Sequence, residues 1–275
     1  MNSGSRIDKG QVIKWTVYCL LSVNFAYYFY EESYIASHVL KNGGSFLDWT
    51  REFATTIDEL GWFGLLITFE LETYALTTEQ LKKRLVKWSM HGVRVVCYIM
   101  LAHTVLARVT TVVDFNDVML AEEVNDLCQV SDQNISYGVN YHYTIIDGTN
   151  CDQLSRDTQF FFLEETVITD TGGFDLERWN VWVDLNDALV WLLVVWAIEL
   201  SVWLQSRNIA GGRLMAATYA AKVLYGVLFV HMTWWAYSGH WVWAWDQFLW
   251  IAGFWAIEKN LSEWREEIRE EQEFA

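Results

Sequence analysis

Proline is absent from the 275 residues of this chain, and basic side chains are scarce. The absence of proline excludes proline-made helix kinks and proline-rich linkers, although Gly226 or Gly253 can still relax a helix locally. The 19 Lys and Arg stand against 35 Asp and Glu, which gives a formal net charge of -16. We expect fairly straight helices and no nucleic-acid partner, because a phosphate backbone binds basic surfaces.

Familiar catalytic motifs are missing as well. The sequence contains no phosphate-binding glycine loop, zinc-type cysteine cluster, nucleophile elbow or metalloprotease helix motif. Familiar enzyme machinery is therefore not expected. Of the four cysteines, Cys19 and Cys97 lie in apolar runs, whereas Cys128 and Cys151 share one polar segment. We predict a Cys128–Cys151 disulfide if that segment faces an oxidising compartment.

Long apolar runs dominate what is present, since 53% of the residues are hydrophobic and 16% are aromatic. About 20 apolar residues span a bilayer core of about 30 Å. The predicted fold is an all-α integral membrane protein, a bundle of six transmembrane helices of repeated two-helix units. The approximate helices are residues 11–30, 58–77, 87–113, 184–205, 214–236 and 242–260.

Many of the 17 tryptophans stand at the ends of these runs, where an amphipathic indole favours the headgroup region. They predict two aromatic belts. One belt contains Trp49, Trp62, Trp179, Trp182, Trp241 and Trp243, and the other contains Trp15, Trp88, Trp203 and Trp264.

Lys and Arg cluster on one side of the predicted bundle, at Lys82, Lys83, Arg84 and Lys87, at Arg207 and Arg213, and at Arg6 and Lys9. The positive-inside rule places this side, with both termini, in the cytoplasm of a plasma membrane or bacterial inner membrane. We expect the first apolar run to remain as a membrane helix, because it lacks a signal-peptidase site. The acidic stretch 259–275 is expected to be a cytoplasmic helical tail.

Residues 114–183 form an external loop or a small cap in this topology. Strand-like stretches at 141–146 and 160–168 are separated by turn signals such as Asp147-Gly148 and Gly172-Gly173. They indicate a small β-rich cap.

An internal repeat relates the even-numbered helices. Asp187, Trp191, Trp196 and Glu199 have the same spacing as Asp246, Trp250, Trp255 and Glu258, and Asp58, Trp62 and Glu70 give a fainter copy. The odd-numbered helices repeat a basic residue and a histidine, at Arg94 with His103 and at Lys222 with His231. Lys14 and Asn24 are the weaker counterparts in the first helix.

The repeat predicts two polar layers inside the bundle. The inner layer contains Glu70, Glu199, Glu258, Arg94, Lys222 and Lys14, and the outer layer contains His103, His231, Asn24, Asp58, Asp187 and Asp246. A charge at the bilayer centre costs about 2.5 to 3.5 kcal/mol, so Lys222 should pair with Glu258 or Glu199, and Arg94 with another of the three glutamates. Such pairs either fix helix register or form an ion pathway.

His103 and His231 are expected at comparable depth. They are ordinary hydrogen-bonded histidines, members of a proton or metal-ion path, or the two axial ligands of a haem b. No other cofactor is indicated.

Three functions follow from these layers. The first is the movement of protons or small cations through the bundle. The second is a non-catalytic structural or accessory subunit of a larger membrane complex, or a homo-oligomer, with the lipid bilayer as the common partner. The third is a bis-histidine haem b protein that transfers electrons.

Overall fold

The computed structural model describes residues 9–72, 76–206 and 212–254. Its helices are α1 (Lys9–Val39), α2 (Phe46–Glu52), α3 (Ala54–Glu70), α4 (Thr78–Lys82), α5 (Arg84–Asn116), α6 (Cys151–Leu154), α7 (Thr171–Ser206), α8 (Gly212–Tyr237) and α9 (241–254). Its strands are β1 (Met119–Leu120), β2 (Ser136–Val139), β3 (His142–Ile145), β4 (Phe160–Glu164) and β5 (Val167–Asp170). A 3-10 turn covers Leu127–Val130.

The strands form one mixed sheet with the order β1-β4-β5-β2-β3. Strand β2 runs parallel to β5, with Ser136 opposite Val167, and the other neighbouring pairs are antiparallel. Most residues of β4 and β5 are aromatic or β-branched, and such residues favour half-buried strands. The predicted strand stretches 141–146 and 160–168 are confirmed, since β3 lies in the first and β4 in the second.

A compact apolar core supports this sheet. Its members include Leu127, Val130, Ile146, Phe160 and Ile168, all at most 2% exposed. The predicted disulfide between Cys128 and Cys151 is confirmed, and it joins the 3-10 turn to α6.

The prediction of an all-α, six-helix membrane bundle is wrong. The chain combines helices with a five-stranded sheet. Within the described residues, two helices are long and apolar enough to cross a membrane, Arg84–Asn116 and Thr171–Ile198. They overlap the predicted spans 87–113 and 184–205. Sidedness and the cytoplasmic position of the termini stay predictions.

The error has a physical cause in the other predicted spans, 11–30, 58–77, 214–236 and 242–260. Spans 11–30, 214–236 and 242–260 each contain four or five Trp and Tyr residues, which were counted as apolar but carry a polar N–H or O–H group and favour interfaces over hydrocarbon. Span 58–77 contains four acidic residues instead, Asp58, Glu59, Glu70 and Glu72. In addition, α3 has 17 residues, which is short for a span. The end of the predicted span 242–260 lies outside the described residues.

The chain divides into two compact units. The sheet unit is residues 27–192, and the aromatic unit comprises the described parts of 1–26 and 193–275. In the sheet unit, α3 lies directly against α5, because a Cβ at Gly64 would collide with the Cys97 sulfur. In the aromatic unit, Leu228 is fully buried and Trp235 packs edge-on against Trp243, with ring centroids 4.9 Å apart.

Candidate functional site

A row of polar residues runs along one side of α7 in the sheet unit. Glu177, Asn180, Asp184 and Asp187 are spaced by three or four residues, so their side chains share one face of the helix. Glu177 is 7% exposed and Asn180 is completely buried. We call these four residues the α7 polar face. At a rise of about 1.5 Å per residue, it extends for about 15 Å.

The tip of the β2–β3 hairpin lies on this face. Asn140 and Tyr141 form the tip, and both are in the left-handed region, with φ of 55° and 60°. The Tyr141 amide donates a hydrogen bond to the Glu177 carboxylate at 3.3 Å, and the Tyr141 hydroxyl donates one to Asp184 at 3.4 Å. The Asn180 amide donates to the Asn140 side-chain oxygen at 3.4 Å.

A glycine lets the strands approach the start of α7. A Cβ at Gly173 would collide with the Thr169 hydroxyl and would lie 2.7 Å from a methyl carbon of Val139. Because Val139 directly precedes the hairpin tip, this close approach positions Asn140 and Tyr141 over the first turns of α7.

Arg108 links the α7 polar face to α3. Its guanidinium lies 3.2 Å from the Asp184 carboxylate and donates a hydrogen bond of 2.9 Å to the Thr55 hydroxyl. The side chains of Arg108 and Asp184 are 21% and 18% exposed, so each charge needs the other to offset lost hydration. Arg108 therefore holds α5, α7 and α3 together.

Glu32 of α1 supplies the N-terminal cap of α3. The N-cap residue of α3 is Phe53, whose side chain has no acceptor for the free amide groups of the first turn. The Glu32 carboxylate accepts hydrogen bonds from the amides of Thr55 at 2.7 Å and Thr56 at 3.0 Å. Burial raises the pKa of Glu32, and the hydrogen bonds from Thr56 and Thr55 oppose that rise.

Glu52, at the end of α2, lies among several charges. Arg51 contacts Asp114, and its guanidinium lies 3.4 Å from Glu164 and 3.8 Å from Glu52. Burial raises the pKa of Glu52 to about 7, Arg51 opposes the rise and the Glu164 carboxylate adds to it. Burial also raises the pKa of Glu164. Glu52 is therefore a carboxyl group that exchanges its proton near neutral pH.

Asp58 and Asp187, two residues of the predicted outer layer, lie near each other. The Trp62 indole donates a hydrogen bond of 3.0 Å to Asp58, and Asp58 is within electrostatic range of Asp187 and Arg108. The rings of Trp62 and Trp191 meet edge to face at 5.7 Å. The two aspartates and two tryptophans that the sequence aligned on α3 and α7 are thus brought together.

The other predicted residues of the sheet unit have local partners. His103 Nε2 lies 3.1 Å from the Thr50 carbonyl oxygen, and it carries the proton because a carbonyl can only accept. Arg94 forms an ion pair with Glu72, which is not one of the three glutamates named from the sequence. Glu70 is the last residue of α3.

In the aromatic unit, Asn24 donates a buried hydrogen bond of 2.7 Å to Asp246. Two predicted outer-layer residues from distant parts of the sequence are therefore in contact. His231 is buried in α8, and the Lys222 ammonium lies 5.8 Å from the centre of the Tyr219 ring.

Glu258 and the tail 259–275 lie outside the described residues, as do the side chains of Lys14 and Glu199. The predicted pairing of Lys222 with Glu258 or Glu199 stays a prediction. In the described part of the chain, no group of three or more His, Cys, Asp or Glu side chains is arranged to hold a metal ion.

Sequence reasoning missed Arg108, Asp184, Glu177, Tyr141, Glu32 and Glu52. A signal existed for Glu177 and Asp184, because polar residues recur every three or four positions at the start of an otherwise apolar helix. No comparable signal marks Glu32, whose role depends on a helix that begins 22 residues later.

Comparison of the chain with protein-family models, curated proteins and solved structures gives no match.

Proposed function

We propose that the protein moves protons or small cations across a membrane along the α7 polar face. The observation that carries the proposal is the position of this face, on one of the two described helices that are long and apolar enough to span a bilayer. At the bilayer centre an ionisable side chain costs about 2.5 to 3.5 kcal/mol, so a row of such side chains on a membrane helix is expected to have a role.

The opposite side of α7 suits a lipid environment. Trp179 and Trp182 are 65% and 53% exposed, and Leu189 is also exposed. Exposed apolar side chains on one side and buried polar side chains on the other are typical of a membrane helix whose polar residues face the protein interior.

The charges along the face favour a cation over an anion. Glu177, Asp184 and Asp187 contribute carboxylates, and Asp58 on α3 adds a fourth. The basic residue Arg108 contacts Asp184 and lies within electrostatic range of Asp58. Carboxylate oxygens accept protons and bind small hard cations.

Flux in proteoliposomes tests the proposal, with proton and alkali-cation gradients applied separately. The Asp187→Asn variant keeps the shape of the side chain and removes its proton-binding charge. We expect its flux to fall to that of empty liposomes. The matched control is Asp175→Asn, the same change at an exposed position two turns or more away on the same helix.

The control should retain the flux of the unaltered protein. Undiminished flux in Asp187→Asn, or no flux in the unaltered protein above that of empty liposomes, would contradict the proposal.

A second candidate is an accessory subunit of a membrane complex, which the exposed aromatic side chains favour. Trp241 is 70% exposed and Trp196 is 63% exposed. Large exposed aromatic residues are enriched where proteins dock. This candidate requires stable partners that co-purify after mild solubilisation, and a monodisperse chain alone in the detergent micelle would remove it.

A further inference from the structure

We propose that the hairpin tip Asn140–Tyr141 is a plug that closes the sheet-side end of the α7 polar face. Its effect on ion movement rests on the proposed function, whereas its covering of Asn180 is a separate property that can be measured by itself.

Backbone conformation is the first argument for the plug. A two-residue hairpin turn with positive φ at both positions strongly favours Asn-Gly. This chain has Asn-Tyr, with Tyr141 at φ 60°. A non-glycine residue in the left-handed region costs about 1 to 2 kcal/mol, so a tyrosine here is expected to have a compensating role.

The contacts of Tyr141 identify that role. Its amide reaches Glu177 and its hydroxyl reaches Asp184, two residues separated by seven positions, or about 10 Å along α7. Asn180 lies between them and is completely buried. Glycine at position 141 would keep the turn and the amide contact with Glu177, but it would lose the ring and the hydroxyl contact with Asp184.

The base and tip of the hairpin differ in which part of the chain holds them. At the base, His38 Nδ1 lies 2.7 Å from the Ser136 hydroxyl, and Lys41 donates hydrogen bonds to Ser136 at 2.8 Å and to the Asn134 carbonyl at 2.6 Å. At the tip, the hydrogen bonds to α7 measure 3.3 to 3.4 Å. The base is therefore held by residues in and just after α1, and the tip is held on α7.

Thiol labelling tests the plug without reference to transport. A cysteine is placed under the tip by Asn180→Cys, in a chain whose exposed Cys19 is changed to Ser. The rate of reaction with a membrane-impermeant maleimide is measured on the full chain in vesicles, and mass spectrometry locates the label. The buried Cys97 serves as an internal reference.

Tyr141→Gly is added to this background, and Thr144→Gly, at an exposed position of β3, is the matched control. We expect the label at position 180 to react faster in Tyr141→Gly and at an unchanged rate in Thr144→Gly. Tyr141→Phe keeps the ring and loses the hydroxyl, so its rate should be intermediate.

Equal rates with and without Tyr141→Gly would overturn the plug. If Tyr141→Gly does not fold, as judged by circular dichroism and the Cys128–Cys151 bond, Tyr141→Phe decides in the same way: faster labelling supports the plug and unchanged labelling overturns it. Faster labelling in a protein without flux would retain the plug as a covering element and reject the proposed transport. Normal flux with unchanged labelling would support the proposed transport and overturn the plug.

Discussion

The core of the sheet and the α7 polar face lie in the same unit and each contains fully buried side chains, yet their chemistry is opposite. Phe160 and Ile168 in the sheet core are fully buried and apolar, whereas Asn180 on α7 is fully buried and polar. Burial of a large apolar side chain stabilises the folded state by about 1.5 to 3 kcal/mol. Burial of a polar group costs desolvation free energy, and the hydrogen bonds that the group forms do little more than offset that cost.

This difference suggests a division of roles. The sheet core and its disulfide stabilise the unit. The free energy that they contribute offsets the cost of burying carboxylates nearby. Three substitutions test this division of roles.

Phe160→Ala should have the largest effect. It removes a fully buried ring from the sheet core and leaves a cavity, so we expect the free energy of unfolding to fall by about 3 to 5 kcal/mol. Chemical denaturation in detergent, followed by circular dichroism, measures the change. Phe161→Ala, at the half-buried neighbouring position, should cost clearly less. Equal losses would show that the core identified here is not the source of stability.

Glu52→Gln should change how stability depends on pH. The pKa of Glu52 is about 7 in the folded protein and 4.5 when unperturbed. A raised pKa contributes stability that is fully present below about pH 4.5 and is lost as the pH rises through about 7. Glutamine cannot titrate, so the variant lacks this pH dependence. The unfolding free energy of the unaltered protein, minus that of the variant, should therefore fall by on the order of 2 to 3 kcal/mol as the pH rises through this range.

Unfolding free energies measured at intervals between about pH 5 and about pH 8 give this difference. Glu123→Gln, an exposed position in the same unit, should leave the pH dependence as it is. A difference for Glu52→Gln that stays constant with pH would show that this carboxyl titrates in the ordinary range.

Glu32→Gln should have the smallest effect. A glutamine has one acceptor oxygen, so one of the two amides at the start of α3 loses its partner. We expect a loss of about 1 kcal/mol, typical of an altered helix cap. Hydrogen exchange of the Thr55 and Thr56 amides gives the local readout, and both should exchange faster. Glu31→Gln on the same helix is the control, and unchanged exchange in Glu32→Gln would reject the capping role.

The sequence predicted features that depend on neighbouring residues or on shared spacing. The strands around 141–146 and 160–168 and the Cys128–Cys151 bond followed from turn signals and cysteine position. The alignment of Asp58 with Asp187 picked out two residues that the fold brings close together.

Features that depend on contact between distant segments were not predictable in this way. Arg108 was overlooked because nothing in its local sequence distinguishes a buried bridge to Asp184 from a charge at a helix end. The number of spans was overestimated because Trp and Tyr were treated as apolar, although each carries a polar group that favours an interface.

The cystine also affects the folding of the β2–β3 hairpin. Cys128 and Cys151 are 23 positions apart, and both strands of the β2–β3 hairpin lie between them. Oxidation therefore encloses Asn140 and Tyr141 in a covalent ring and removes about 3 kcal/mol of chain entropy from the unfolded segment. A chain whose two cysteines are reduced lacks this constraint, so its hairpin segment loses more chain entropy when it folds.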